Sequence, residues 1–104
     1  MNLSTLGLMK KTGCLIIGFD AVKRELESPT SKIAGVALSN DLSAKTKKEI
    51  LFLRDKHRPQ MNIVVLNADM KQIEGIIGKR TGIAAIMDEG FWKSLSKDSE
   101  PIKQ

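Results

Sequence analysis

Aromatic residues are scarce in this chain, with three Phe, one Trp and no Tyr among 104 residues. Proteins that hold single strands by stacking need a row of aromatic faces. Such a platform is poorly supplied here, so a nucleic-acid ligand would be met through its grooves or backbone. Cysteine occurs once, at Cys14, which excludes an internal disulfide. Inside an apolar run it reads as a buried thiol in a reducing compartment. The lone histidine, His57, has no second His or Cys near it in sequence. Metal and catalytic duty are therefore not expected of it, and it reads as a helix-end cation or neutral surface residue. No apolar run approaches the ~20 residues of a membrane span, and the N-terminus lacks a charged stretch followed by a continuous apolar one. The expectation is a cytoplasmic location with no membrane partner.

What is present is basic. Seventeen Lys and Arg stand against twelve Asp and Glu, a net charge of +5 with a pI near 9.5, which favours a polyanionic partner. A hydrophobic content of 41% and a charged content of 28% fit one ordinary globular domain. We place that domain at residues 1–96 and a flexible tail at 97–104.

The chain alternates between short apolar runs and helical periods. Residues 2–11 carry Ser4 as a candidate cap and Leu3, Leu6 and Met9 at three-residue spacing, which predicts a short helix ending in Lys10 and Lys11. Residues 14–17 form an apolar run between Gly13 and Gly18, and then Ala21, Val22 and Leu26 recur at helical spacing. The stretch is a strand-to-helix junction, which aims free helix N–H groups past the strand end at any anion there. Arg24, about one helical turn beyond Gly18, could add a fixed positive fork. A turn cluster at 28–31 precedes an apolar run at 33–38 without alternation, the mark of a strand covered on both faces. Ser43 or Asp41 can cap a longer helix reaching His57 and stopped by Pro59. Ala44, Ile50, Leu51 and Leu53 would supply its apolar contacts, and Lys45, Lys47, Lys48, Arg54, Lys56 and Arg58 its wet side. Residues 63–66 form the third strand. Asp69 and Gln72 make a capping box for a helix ending at Gly78. Residues 83–87 form the fourth strand, and Asp88 leads into a last helix with Phe91, Trp92 and Leu95. The order predicts an α/β fold, a three-layer α/β/α sandwich with a four-stranded mixed sheet and five helices.

Two glycine patterns are excluded on chemistry. The gap from Gly13 to Gly18 is that of a phosphate-binding loop, but Phe19 and Asp20 stand where Lys and Ser or Thr are required. Three residues separate Gly78 from Gly82, where a KH clamp has two. No catalytic pairing or metal-ligand spacing occurs, so neither enzyme activity nor a cofactor is expected.

In its order of motifs the chain resembles the ribosomal protein L-seven-Ae and L-thirty-e family, especially its small bacterial branch. The resemblance covers residues 5–95. It rests on Leu6-Gly7-Leu8, on Gly18 followed by Arg24, on Ser43 with Thr46-Lys47-Lys48, on Ile77-Gly78-Lys79, and on Asp88 with Gly90-Phe91. It implies a non-enzymatic, monomeric binder of structured RNA such as the kink-turn, ribosomal or otherwise, with the large ribosomal subunit as a possible partner. The implied RNA-binding residues are Lys10, Lys11, Gly18, Phe19, Asp20, Lys23, Arg24, Lys79, Arg80, Thr81 and Gly82. In the family's best RNA binders Asn and Glu stand at the positions of Asp20 and Ala21. Those departures carry the alternative, a structural or protein-interaction module of the same fold that has lost strict kink-turn binding.

Overall fold

The structure, a computed structural model, describes residues 4–97 and 100–101. Elements follow in the order α1 (Ser4–Lys11), β1 (Leu15–Ile17), α2 (Phe19–Glu27), β2 (Gly35–Leu38), α3 (Ala44–His57), β3 (Ile63–Val65), α4 (Met70–Ile77), β4 (Ile83–Ile86), α5 (Glu89–Ser96) and β5 (Glu100–Pro101). The sheet order is β1-β4-β2-β3-β5, with β2 and β3 parallel and the other pairs antiparallel.

Side chains alternate across the sheet at the period-2 spacing of a pleated strand. Ala37, Val64, Ala84 and Ile86 face one layer, where they meet Leu6 and Met9 of α1, Ile73 and Ile77 of α4, and Trp92 and Leu95 of α5. Val36, Leu38, Ile63, Ile83 and Ala85 face the other, against Val22 and Leu26 of α2 and Ile50 and Leu53 of α3. Every residue of β2 and β4 is buried, which explains the absence of alternation in their sequences. In β2 the missing side chain of Gly35 makes room for the Trp92 ring, whose carbons lie 2.4 Å from where a Cβ would stand.

Caps fix the helix starts. Ser43 accepts from the Thr46 N–H, Asp69 and Gln72 form the reciprocal box, and Asp88 accepts from the Phe91 N–H. Asp41 is not the α3 cap, since its carboxylate instead accepts from the Met70 N–H of α4 at 3.1 Å. Ser4 is the first residue of α1 rather than a cap outside it, and Leu3 lies outside the described residues.

Several expectations are corrected. Arg54 is buried, donating through Nε to Asp55 and through Nη1 to the Met61 carbonyl, and Arg58 donates to the Ser28 and Ser31 carbonyls. Neither lies on a wet helix face. Ala44 is exposed rather than packed, and Cys14 is half-buried because it precedes the edge strand β1. Val65 is half-buried, because β3 is flanked on its outer side only by the two-residue β5. That fifth strand arises inside the stretch expected to be a flexible tail: Glu100–Pro101 pairs with the open edge of β3. The rest of that expectation, at 98–99 and 102–104, falls outside the described residues. His57 sits at the α3 end with Nε2 3.9 Å from the Glu27 carboxylate.

Candidate nucleic-acid interface

Strands β1, β2 and β3 all point the same way, and each leads directly into a helix, so α2, α3 and α4 begin at one rim of the sheet. Each start carries the partial positive charge of unpaired N–H groups. Side chains fill that role for α3 and α4, at Ser43 and Asp69, whereas α2 is preceded by Gly18 and has no side-chain cap. The N-terminus of α2 is thus the open one.

Two further turns lock onto this rim. The Gly18 N–H donates to the Ile83 carbonyl at 3.0 Å, and the Ser39 N–H to the Gly82 carbonyl at 2.9 Å. The entry to β4 is therefore held between the β1–α2 turn and the β2–α3 loop. Gly18 adopts φ 97° and ψ 152°, a region that only glycine enters without strain. Its absent side chain would meet nothing within 4 Å, so conformation, not crowding within the protein, requires glycine there.

The predicted residues divide into four groups. Gly18 and Asp20 belong to the rim, and Arg24 stands one turn beyond Asp20 on the exposed face of α2, in the last turn of that helix. Arg24 lies about 9 Å along the axis from Gly18 by helix rise. Lys79 and Arg80 are exposed on the turn that returns the chain from α4 to the rim. The side chains of Arg24, Lys79 and Arg80 make no hydrogen bond or ion pair with the described residues. Phe19 and Lys23 form a second group, facing α3. The third group is internal: Thr81 bonds through its hydroxyl to the backbone of Ile83, and Gly82 is buried against Leu42 and Ser39. Lys10 and Lys11 are the fourth. Lys10 donates to the Ile77 carbonyl at the end of α4, and Lys11 ends α1, beyond the start of β1 and away from the rim.

One residue escaped the sequence reading. Phe52 is 64% exposed on α3, beside Phe19 and Lys23. Its signal was its phase: Ile50, Leu51, Phe52 and Leu53 are consecutive, and four residues at about 100° each cannot share one face of a helix.

Among the described residues no three His, Cys, Asp or Glu side chains gather to hold a metal ion, and no helix is long and apolar enough to cross a membrane. No protein-family model matches the chain, and no curated protein matches it. A solved structure titled as a protein with unknown function from Bacillus halodurans C is similar, with a TM-score of 0.79 at 26% identity, covering 91% of this chain and 92% of that one. The sandwich thus recurs over nearly the whole of both chains.

Proposed function

We propose that this protein binds structured RNA without catalysing a reaction, using the rim where α2 begins and the turn at 79–82 enters β4. The supporting observation is the open N-terminus of α2, tied by the Gly18–Ile83 hydrogen bond to the turn that carries Lys79 and Arg80, with Arg24, further along the same helix, without a side-chain partner among the described residues. Helix N–H groups suit phosphate oxygens, and a free guanidinium suits a phosphate or a guanine edge. The resemblance to the L-seven-Ae and L-thirty-e family supports the same reading, and with it a monomer in the cytoplasm associated with ribosomal or another structured RNA.

The test is binding of a kink-turn RNA at several salt concentrations. Log affinity should fall linearly with log salt, each phosphate contact contributing roughly 0.7 to 0.9 of slope. Arg24→Ala should weaken binding by about tenfold to a hundredfold, corresponding to ~1–3 kcal/mol. Salt-independent binding, or none to kink-turn and total ribosomal RNA alike, would overturn the reading. A specific observation favours a second one: Asp20 is exposed in the first turn of α2 and puts a carboxylate where a phosphate would sit. In that case the fold serves as a protein-interaction module, and the salt titration finds no RNA affinity.

A further inference from the structure

Helix α3 turns one face to solvent over most of its length. Lys45, Lys48, Phe52 and Asp55 follow one another on it at spacings of three, four and three residues, which is a single stripe of a helix, and all four are exposed. At 64%, Phe52 is the most exposed large apolar side chain among the described residues. Beside the stripe, between α2 and α3, lies an open groove of about 320 Å³ lined by Phe19, Lys23, Lys48, Glu49, Phe52 and Leu53. A protruding ring and a partly apolar groove therefore stand next to each other on one surface. Asp55 accepts from the Arg54 Nε through Oδ1 at 2.7 Å, and its side chain, 57% exposed, still offers Oδ2 to an outside cation.

We propose that this face of α3 is a weak two-fold interface with a second copy of this chain. The order of charges along the stripe selects both the partner and the register. In an antiparallel crossing of α3 on α3, with the axis level with Ile50, Lys45 meets the partner's Asp55 and Lys48 meets the partner's Phe52. Two-fold symmetry makes each contact twice. The outer pairs join opposite charges, and the inner ones set an ammonium group over an aromatic face. Each Phe52 then reaches the mouth of the other copy's groove, of which Lys48 forms a wall. Other registers are opposed by like charges. An axis level with Phe52 stacks the two rings but sets Lys48 against the partner's Lys56 and Glu49 against the partner's Asp55. Parallel pairing in register sets every charge of the stripe against itself. A uniformly acidic segment would match Lys45 and Lys48 but not Asp55, whereas a second copy supplies both signs at the matching places. Because α3 begins at the rim, antiparallel α3 helices send the two rims to opposite ends and leave both open. The interface goes beyond the rim reading and does not depend on it, and the monomer inferred there is its dissociated form. One helix pair buries an area at the low end for protein interfaces, so the dimer comes apart on dilution.

The experiment is sedimentation equilibrium of the full chain from about 10 µM to about 1 mM, the range in which weak interfaces fill. The average mass should rise from that of one chain toward that of two. Phe52→Ala should weaken association by about tenfold or more, and since this ring is exposed the melting temperature should not move. Lys45→Asp and Asp55→Lys should each weaken association several-fold, because each sets like charges across the axis twice. Mixing these two variants in equal amounts should restore it, because the exchanged charges then meet their opposites at both places. Recovery on mixing cannot come from the link between Asp55 and Arg54 inside one chain. Lys71→Ala, which removes a charge on α4, should change nothing. A mass of one chain at every concentration overturns the proposal, as does a dimer that survives Phe52→Ala or a mixture that does not recover. Kink-turn affinity that falls with Phe52→Ala at nanomolar protein would assign this face to RNA instead. Amide shifts at residues 45–55 that follow an added poly-glutamate peptide but not the protein's own concentration would assign it to an acidic partner. Either result overturns the second copy. Failure of the rim reading is separate, appearing as a dimer without kink-turn affinity.

Discussion

The molecule holds its cations in two ways. In one set, near the ends of α3 and α4, basic side chains are engaged by the protein itself: Arg58 by the Ser28 and Ser31 carbonyls, Arg54 by Met61, and Lys10 by Ile77. Helix C-termini carry partial negative charge and orphan carbonyls, so cations there satisfy backbone groups. In the other set, Arg24 in the last turn of α2 and Lys79 and Arg80 on the turn between α4 and β4 have no side-chain partner among the described residues. A net charge of +5 therefore does not mark an interface by itself. The proposed interface is distinguished instead by cations without a partner among the described residues and by a helix start without a side-chain cap.

The largest expected effect lies in the sheet on which both sets rest. Val36 is fully buried in central β2, and Val36→Asp should cost several kcal/mol because it buries a charge without a partner. Val65→Asp, on a half-buried position, should cost much less, and equal thermal melts for the two variants would show that Val65 is as enclosed as Val36.

Next come the engaged cations. Arg54→Ala leaves the Met61 carbonyl without its donor and should cost ~1–3 kcal/mol, or several degrees in Tm, with kink-turn affinity unchanged. Arg24→Ala should do the reverse, holding stability within about 0.5 kcal/mol while affinity falls. Finding the two phenotypes exchanged, by melts and binding isotherms on the same samples, would break the comparison.

Gly18→Ala sharpens it. The strained backbone should cost ~1–3 kcal/mol at the rim without removing any cation. A variant that melts lower yet retains kink-turn affinity in its folded fraction would show that the backbone of this turn positions α2 without touching RNA.

The smallest effect is expected from replacing Lys45, Lys47 and Lys56 together with Ala. These act on RNA only through a long-range field that physiological salt screens over about 8 Å. Abolished binding at 150 mM salt would place the interface on α3.

Much of the fold was legible because its signals are local. The unbroken apolar runs at 33–38 and 83–87 declared covered strands, the Asp69 and Gln72 pair declared a helix start, and Gly78 a helix end in the left-handed conformation. The fates of Arg54 and Arg58 were not legible, since their acceptors lie 7 and about 30 residues away. Periodicity reports which way a side chain leaves its helix, not whether a carbonyl waits there. The candidate site was legible as a list of residues and not as a surface. Lys10, Thr81 and Gly82 lie in the same segments as the free cations, yet the fold uses them for capping, turn closure and packing.

The pairing of Glu100–Pro101 with β3 has a consequence for how copies of this molecule meet one another. A sheet whose outermost strand is long and regular invites an incoming strand to extend it, and so seeds assemblies that grow without limit. Here the last position on that side is held by a two-residue strand containing proline, which has no N–H to offer a newcomer. The opposite margin, β1, is three residues long. Among the described residues, neither margin offers a long regular strand to a newcomer.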